Sequence, residues 1–215
     1  AGNTLAYHLH KQHQITVFEA NHYIGGHTHT HLVEIAGETH AVDTGFIVFN
    51  DKTYPEFERI LIEAGVAWRD SEMSFSVQNA VTKLEYNGTS LNSMFAQRRN
   101  LLSPKFYRMI LDILRFNQQS LALLTEGDEM PLGEYLSRNG YSTQFIRDYI
   151  VPMGAAIWST DAVQMLQFPA RFFVRFFHHH GMLSIDDRPQ WRTIRGGSAR
   201  YIEKITAGYR DRIEL

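Results

Sequence analysis

Cysteine does not occur anywhere in the 215 residues. Its absence excludes disulfides, thiolate zinc sites and cysteine nucleophiles together, so redox chemistry here would need a bound cofactor. It also fits a reducing compartment, and the chain reads as cytoplasmic. An excess of one charge is lacking too. The 21 basic and 23 acidic residues give a formal net charge of −2, which offers no cationic surface of the kind nucleic acid requires. No run approaches the roughly 18 consecutive apolar residues of a spanning helix, and the first residues lack the basic-then-apolar order of a signal peptide. Neither an internal repeat nor a low-complexity tract occurs. What is present is an ordinary globular balance, 44% hydrophobic and 20% charged, in a length that suits one sizeable core, or one domain with part of another. The chain opens Ala1-Gly2-Asn3-Thr4 without an initiator Met and closes on Arg212-Ile213-Glu214-Leu215, which reads as the start of a strand. Both ends read as cut.

Periodicity divides the chain into two textures. Leu5, Ala6 and Leu9 predict a short helix over 3–12, and the β-branched and aromatic run 14–19 predicts a strand ending on Glu19. Strand patterns at His29–Ile35 and Thr39–Val42 flank Ala36-Gly37-Glu38 as a hairpin. A helix is expected over 53–64, with Pro55 near its start and Gly65 as its stop, and strands at Ser74–Gln78 and Lys83–Tyr86. From about Leu91 the pattern turns helical: 105–124 carries one apolar stripe, and 131–139, 142–150 and 168–180 are shorter helices. Trp191–Ile194 reads as strand and 198–208 as a last helix.

A dinucleotide site needs a glycine-rich turn, a helix whose N-terminus faces the pyrophosphate, a second strand, and an acid at its end for a ribose. Gly2 sits where the third glycine of such a turn would sit, and Glu19 follows at a spacing that fits helix plus strand. On these residues alone an ordinary helix–strand unit with a strand-end Glu is the favoured reading. The continuation is Val17-Phe18-Glu19-Ala20-Asn21-His22-Tyr23-Ile24-Gly25-Gly26-His27-Thr28, and paired glycines let backbone approach a bulky ligand and aim N–H groups at it. Further on stand Val42-Asp43-Thr44-Gly45-Phe46-Ile47, then Tyr149–Ser159 with Phe168–Phe173, then Trp191–Ser198.

In this order the four segments resemble the flavin-containing amine oxidase superfamily, which includes protoporphyrinogen oxidases and carotenoid-type desaturases; among its members they are most similar to bacterial predicted FAD-dependent oxidoreductases. The resemblance implies an α/β fold: an incomplete Rossmann-like FAD-binding domain with an inserted, mainly helical α+β substrate domain. Residues 1–72 would begin the FAD-binding domain, 73–190 would form the substrate domain, and 191–215 would return to the first. It implies FAD as cofactor and a hydride equivalent taken from a C–N or C–C bond. By the same resemblance the cofactor-binding residues are Gly2, Glu19, Ala20, Gly25, Gly26, His27, Thr28, Asp43, Thr44, Gly45, Phe46 and Ile47. His27 departs from the Arg more common after the paired glycines, though an imidazole N–H can still donate one hydrogen bond. A Gly-x-Gly preceded by an apolar strand is expected directly ahead of Ala1.

Three points stay open at this level. Eleven histidines invite a metal, above all His27, His29 and His31 on one strand face and His178-His179-His180, but no carboxylate accompanies them at ligand spacing, so no metal is assigned. The Phe-rich run 168–180 reads as a core helix, with the wall of a lipophilic pocket or a membrane-facing surface as alternatives. No catalytic acid, base or nucleophile stands out, so none is named, and a non-catalytic module holding FAD or another nucleotide remains the rival function. The partner expected is a small-molecule substrate, an apolar one preferred over a small amine, with peripheral membrane contact and oligomeric state both left open.

Overall fold

The computed structural model describes residues 1–125, 129–184 and 189–215. The chain divides into two compact units, Ala1–Glu72 with Pro189–Leu215, and Met73–Arg188. No helix among the described residues is long and apolar enough to cross a membrane.

In the first unit the helix Gly2–Leu9 leads to the short strand Val17–Phe18, which pairs in parallel with Ile213–Glu214. Tyr209 ties these parts together: it is fully buried, and its hydroxyl donates to the Asn3 carbonyl at 2.8 Å. The hairpin Thr30–Ile35 and Glu38–Asp43 turns through Ala36 and Gly37, both at positive φ (53° and 84°). That is the primed two-residue turn whose twist matches paired strands. A three-stranded antiparallel sheet places Trp191–Ile194 between Phe49–Asn50 and Trp68–Ser71. The helix Pro55–Glu63 and the helix Ala199–Thr206 complete the unit. Its apolar interior is split. Phe49, Leu61, Val66 and Ile194 form one cluster, and Ile60, Ile202 and Ile205 another.

The second unit opens on the strand pair Ser76–Gln78 and Glu85–Asn87 and is otherwise helical. Its core is one continuous cluster running from Phe106, Met109 and Phe116 through Leu136, Phe145 and Ile150 to Phe173, Val174 and Phe177.

Several boundaries differ from expectation for identifiable reasons. The strand Trp68–Ser71 goes unnoticed in the sequence because Arg69, Asp70 and Ser71 are weak strand formers; pairing with Trp191–Ile194 overrides them. The predicted helix 105–124 breaks at Ser120, giving Pro104–Gln119 and Ala122–Thr125, and the second piece buries Leu123. The predicted helix 142–150 does not stop before Pro152. It passes through a widened turn at Ile146–Ile150 and runs on as Val151–Trp158. Pro152 has no N–H to give the Asp148 carbonyl one turn back, and the Tyr86 hydroxyl donates to that carbonyl instead, at 2.6 Å. The Asp148 carboxylate, itself buried, accepts from Asn79 Nδ2 at 2.7 Å and Arg147 Nε at 2.8 Å.

The Phe-rich helix is Ala170–His179. Phe173 and Phe177 are buried and stack on each other at 4.1 Å, so this face is core, while Phe172 is half exposed. His180 closes the helix, its ring 3.9 Å from that of Phe176 and its Nδ1 2.9 Å from the Phe176 carbonyl.

Candidate cofactor site

All twelve residues carried over from the family lie in the first unit, and the structure gathers them in three groups. The first is the helix Gly2–Leu9 with Glu19. The first turn of this helix carries no acid. Glu19 directly follows the parallel strand, its N–H bonded to the Glu214 carbonyl at 2.8 Å. One carboxylate oxygen, Oε1, accepts from the Asn21 N–H at 2.9 Å and from Asn21 Nδ2 at 3.3 Å, and Ala20 beside it is exposed.

The second group is the turn Gly25-Gly26-His27-Thr28, closed by the Thr28 N–H on the Gly25 carbonyl. Gly25 has φ of 144°, and a Cβ there would lie 2.4 Å from the Thr28 carbonyl oxygen. Only glycine makes this turn without displacing it. Thr28 is buried, its hydroxyl 2.5 Å from that of Tyr201, and burial pushes the Tyr201 phenol above its ordinary range. His27 is exposed at the tip.

The third group, Asp43–Ile47, lies directly against the second. The N–H of Phe46 donates to the His27 carbonyl at 3.1 Å and that of Thr44 to the His29 carbonyl at 3.0 Å. A Cβ on Gly45 would fall 1.7 Å from the His27 carbonyl oxygen. The two glycine motifs, 20 residues apart in sequence, therefore meet backbone to backbone. Gly45 has a packing reason within the protein itself.

Asp43 is bonded within the protein. Its carboxylate accepts from the Ser198 N–H at 2.9 Å, the Ser198 hydroxyl at 3.0 Å and the Thr30 hydroxyl at 2.5 Å. Thr30 Oγ1 in turn accepts from the Ala199 N–H at 2.8 Å. These two side chains cap the helix Ala199–Thr206 from 155 or more residues away. Thr30, Ser198 and Tyr201 are thus supporting residues that the sequence reading missed. The serine before a helix was a visible signal; its long-range partners were not.

Among the described residues no three His, Asp, Glu or Cys side chains come together as a metal site. His29 stacks on Tyr23 at 4.1 Å and lies 4.1 Å from His31, a ladder built from alternate strand positions. A cleft of about 570 Å³ in this unit is lined by His40, Arg69, Thr193, Arg195 and Gly197 among others. Of the twelve predicted residues it touches only Asp43.

The fold matches that of known enzymes. Cyclohexylamine oxidase from Brevibacterium oxydans superposes with a TM-score of 0.64 at 19% identity, over 99% of this chain and 48% of its own. Putrescine oxidase, solved with putrescine bound, gives 0.64 at 17% identity over 100% and 47%. The fold is that of the amine oxidases, and the chain spans about half the length of these solved structures. No curated protein sequence matches it. Residues 1–213 match the flavin-containing amine oxidoreductases, and the chain belongs to that family, whose cofactor is FAD.

Proposed function

We propose that the protein of which these residues are part is an FAD-dependent oxidoreductase that takes a hydride equivalent from a carbon–nitrogen or carbon–carbon bond. The first unit would then be the beginning and the return of a Rossmann-like FAD-binding domain, and Met73–Arg188 an inserted substrate domain. The observation that carries this reading is the helix Gly2–Leu9 leading into the one parallel strand pair among the described residues, with Glu19 at that strand's end. Such an end is where open sheets with parallel strands bind nucleotides.

In this reading the N–H groups of the first helical turn face the pyrophosphate, and the oxygen of Glu19 not used by Asn21 accepts from ribose hydroxyls. The Gly25–Thr28 turn and the Thr44–Ile47 segment, held together at His27, present backbone along the rest of the cofactor. Asp43 is a positioning residue that fixes this segment on the helix Ala199–Thr206. When bound, the flavin supplies the electron sink, which is why the chain needs no nucleophile of its own.

Family membership and the substrates named for the two oxidases favour a C–N bond. The Phe-rich helix gives less support to an apolar substrate than its sequence does, because Phe173 and Phe177 are committed to packing. The test is purification of the full-length protein, with FAD expected in the visible spectrum and in the supernatant after denaturation. Anaerobic mixing with amines should bleach the flavin faster than mixing with acyl lipids. Full-length protein free of flavin would refute the assignment. A bound flavin that no substrate reduces would leave a non-catalytic module.

A further inference from the structure

The turn Gly25–Thr28 has few side chains with which to hold its own shape. Two of its bonds are local: the Thr28 N–H donates to the Gly25 carbonyl at 3.1 Å, and the Tyr23 hydroxyl to the Gly26 carbonyl at 3.0 Å. A third comes from far along the chain. The hydroxyl of the buried Thr28 lies 2.5 Å from that of Tyr201, 173 residues away. Tyr201 stands on the helix Ala199–Thr206, and its neighbour Ile202 lies beside the turn, since a Cβ on Gly25 would come within 3.7 Å of Ile202 Cγ1.

Tyr201 is itself located by a ring that also serves the other glycine segment. Phe57, on the helix Pro55–Glu63, meets the ring of Tyr201 edge to face at 5.0 Å and that of Phe46 at 5.2 Å, with interplanar angles of 84° and 87°. Phe46 is the residue whose N–H donates to the His27 carbonyl. One side chain, Phe57, thus braces the segment Asp43–Ile47 directly and the turn Gly25–Thr28 through Tyr201. Edge-to-face pairs and hydrogen bonds are both directional, so they fix the spacing of the two segments where packing volume alone would not.

We propose, resting on the flavin assignment above, that Tyr201 is a positioning residue for the flavin site: its hydroxyl holds Thr28 so that the Gly25–Thr28 turn is set for the cofactor before the cofactor binds. Thr28, carried over from the family as a cofactor contact, acts through the same bond. A turn released from it is competent only part of the time, and the apparent Kd for FAD rises in proportion. The full-length apoprotein is titrated with FAD, followed by quenching of the flavin fluorescence. Tyr201→Phe, which keeps the ring against Phe57, and Thr28→Val, which keeps the shape, should each raise the Kd roughly five- to tenfold. The two together should do no more than either alone, because they share one bond. Thr28→Ser keeps the hydroxyl and should bind FAD as wild type does. Thr206→Val removes a hydroxyl of the same helix that bonds only the Ile202 carbonyl, at 2.7 Å, and should leave the Kd unchanged. Thermal unfolding followed by circular dichroism verifies that each variant is folded, and Tyr201→Phe carries the test if Thr28→Val is not. Wild type that binds FAD while Tyr201→Phe binds it equally well would overturn this role and leave the flavin assignment standing. So would effects that multiply in the double variant, or an equal loss in Thr206→Val. Wild type that takes up no FAD would overturn the flavin assignment, and the role of Tyr201 with it.

Discussion

Residues Met73–Arg188 bury their apolar side chains in one continuous aromatic core, whereas Ala1–Glu72 with Pro189–Leu215 split theirs into two small clusters and leave a hairpin exposed on both strands. The first unit makes up the difference with polar bonds between distant segments. Asp43, Thr30 and Ser198 form one such set and Thr28 with Tyr201 another, and each joins the 28–46 region to the helix Ala199–Thr206. On the function proposed above, the contrast is what a cofactor face would cost a fold. Backbone that must come close to a ligand is rich in glycine and poor in side chains to pack, so directional bonds hold its shape.

The comparison breaks most visibly if the aromatic core is truncated. Phe173 is fully buried, with Phe177 at 4.1 Å and Trp158 at 5.6 Å. Phe173→Ala should cost about 3–5 kcal/mol in denaturant unfolding. No single packing residue of the smaller clusters should match it. Asp112→Ala should cost less, about 2 kcal/mol, because the Ser142 N–H, at 2.9 Å from the carboxylate, loses its acceptor while Arg108 and Arg115 return to solvent. Burial alone would raise the Asp112 carboxyl, but the bonds from Ser142 and the two arginines outweigh it and hold the group below the usual carboxylate range. A depressed folded value means stability that is complete above the unfolded value, about pH 4, and that drains away as pH falls through the folded one. Acid titration of wild type and Asp112→Ala should therefore converge at low pH.

In the first unit the corresponding loss is a cap and not a core. Asp43→Ala should cost about 1–2 kcal/mol by uncapping Ala199–Thr206, and it should loosen the segment to Ile47. If Asp43 instead acts mainly on the cofactor, stability would be unchanged and only flavin retention would fall. Equilibrium unfolding of the apoprotein separates the two.

How much of this was legible follows the same division. The helices Pro104–Gln119 and Ala170–His179 of the second unit were readable from their apolar stripes, because packing one face into a core keeps a 3.6-residue period. The run through Pro152 was not, because the Tyr86 hydroxyl that takes the orphaned Asp148 carbonyl comes from 62 residues away. In the first unit, the hairpin and its Ala36-Gly37 turn were local and visible. The contact of Gly45 with His27 and the capping of Ser198 by Asp43 were not, since both depend on which segments the fold brings together. The glycines were visible as unusual residues before their reasons were.

The finest version of the comparison uses one substitution in both units. Val33 lies in the hairpin at 39% exposure, and Val174 lies fully buried in the helix Ala170–His179. Threonine keeps the shape of valine and puts a hydroxyl in place of one methyl. In the strand that hydroxyl reaches water and threonine is a good strand former, so Val33→Thr should change stability by no more than about 0.5 kcal/mol. In the helix the hydroxyl can bond only a carbonyl one turn back while losing its water, so Val174→Thr should cost about 1–2 kcal/mol. Parallel urea unfolding of the two variants in the full-length protein measures the difference. Equal losses would mean that the hairpin is covered by other parts of that protein, and the two units would then be alike in how they bury apolar surface.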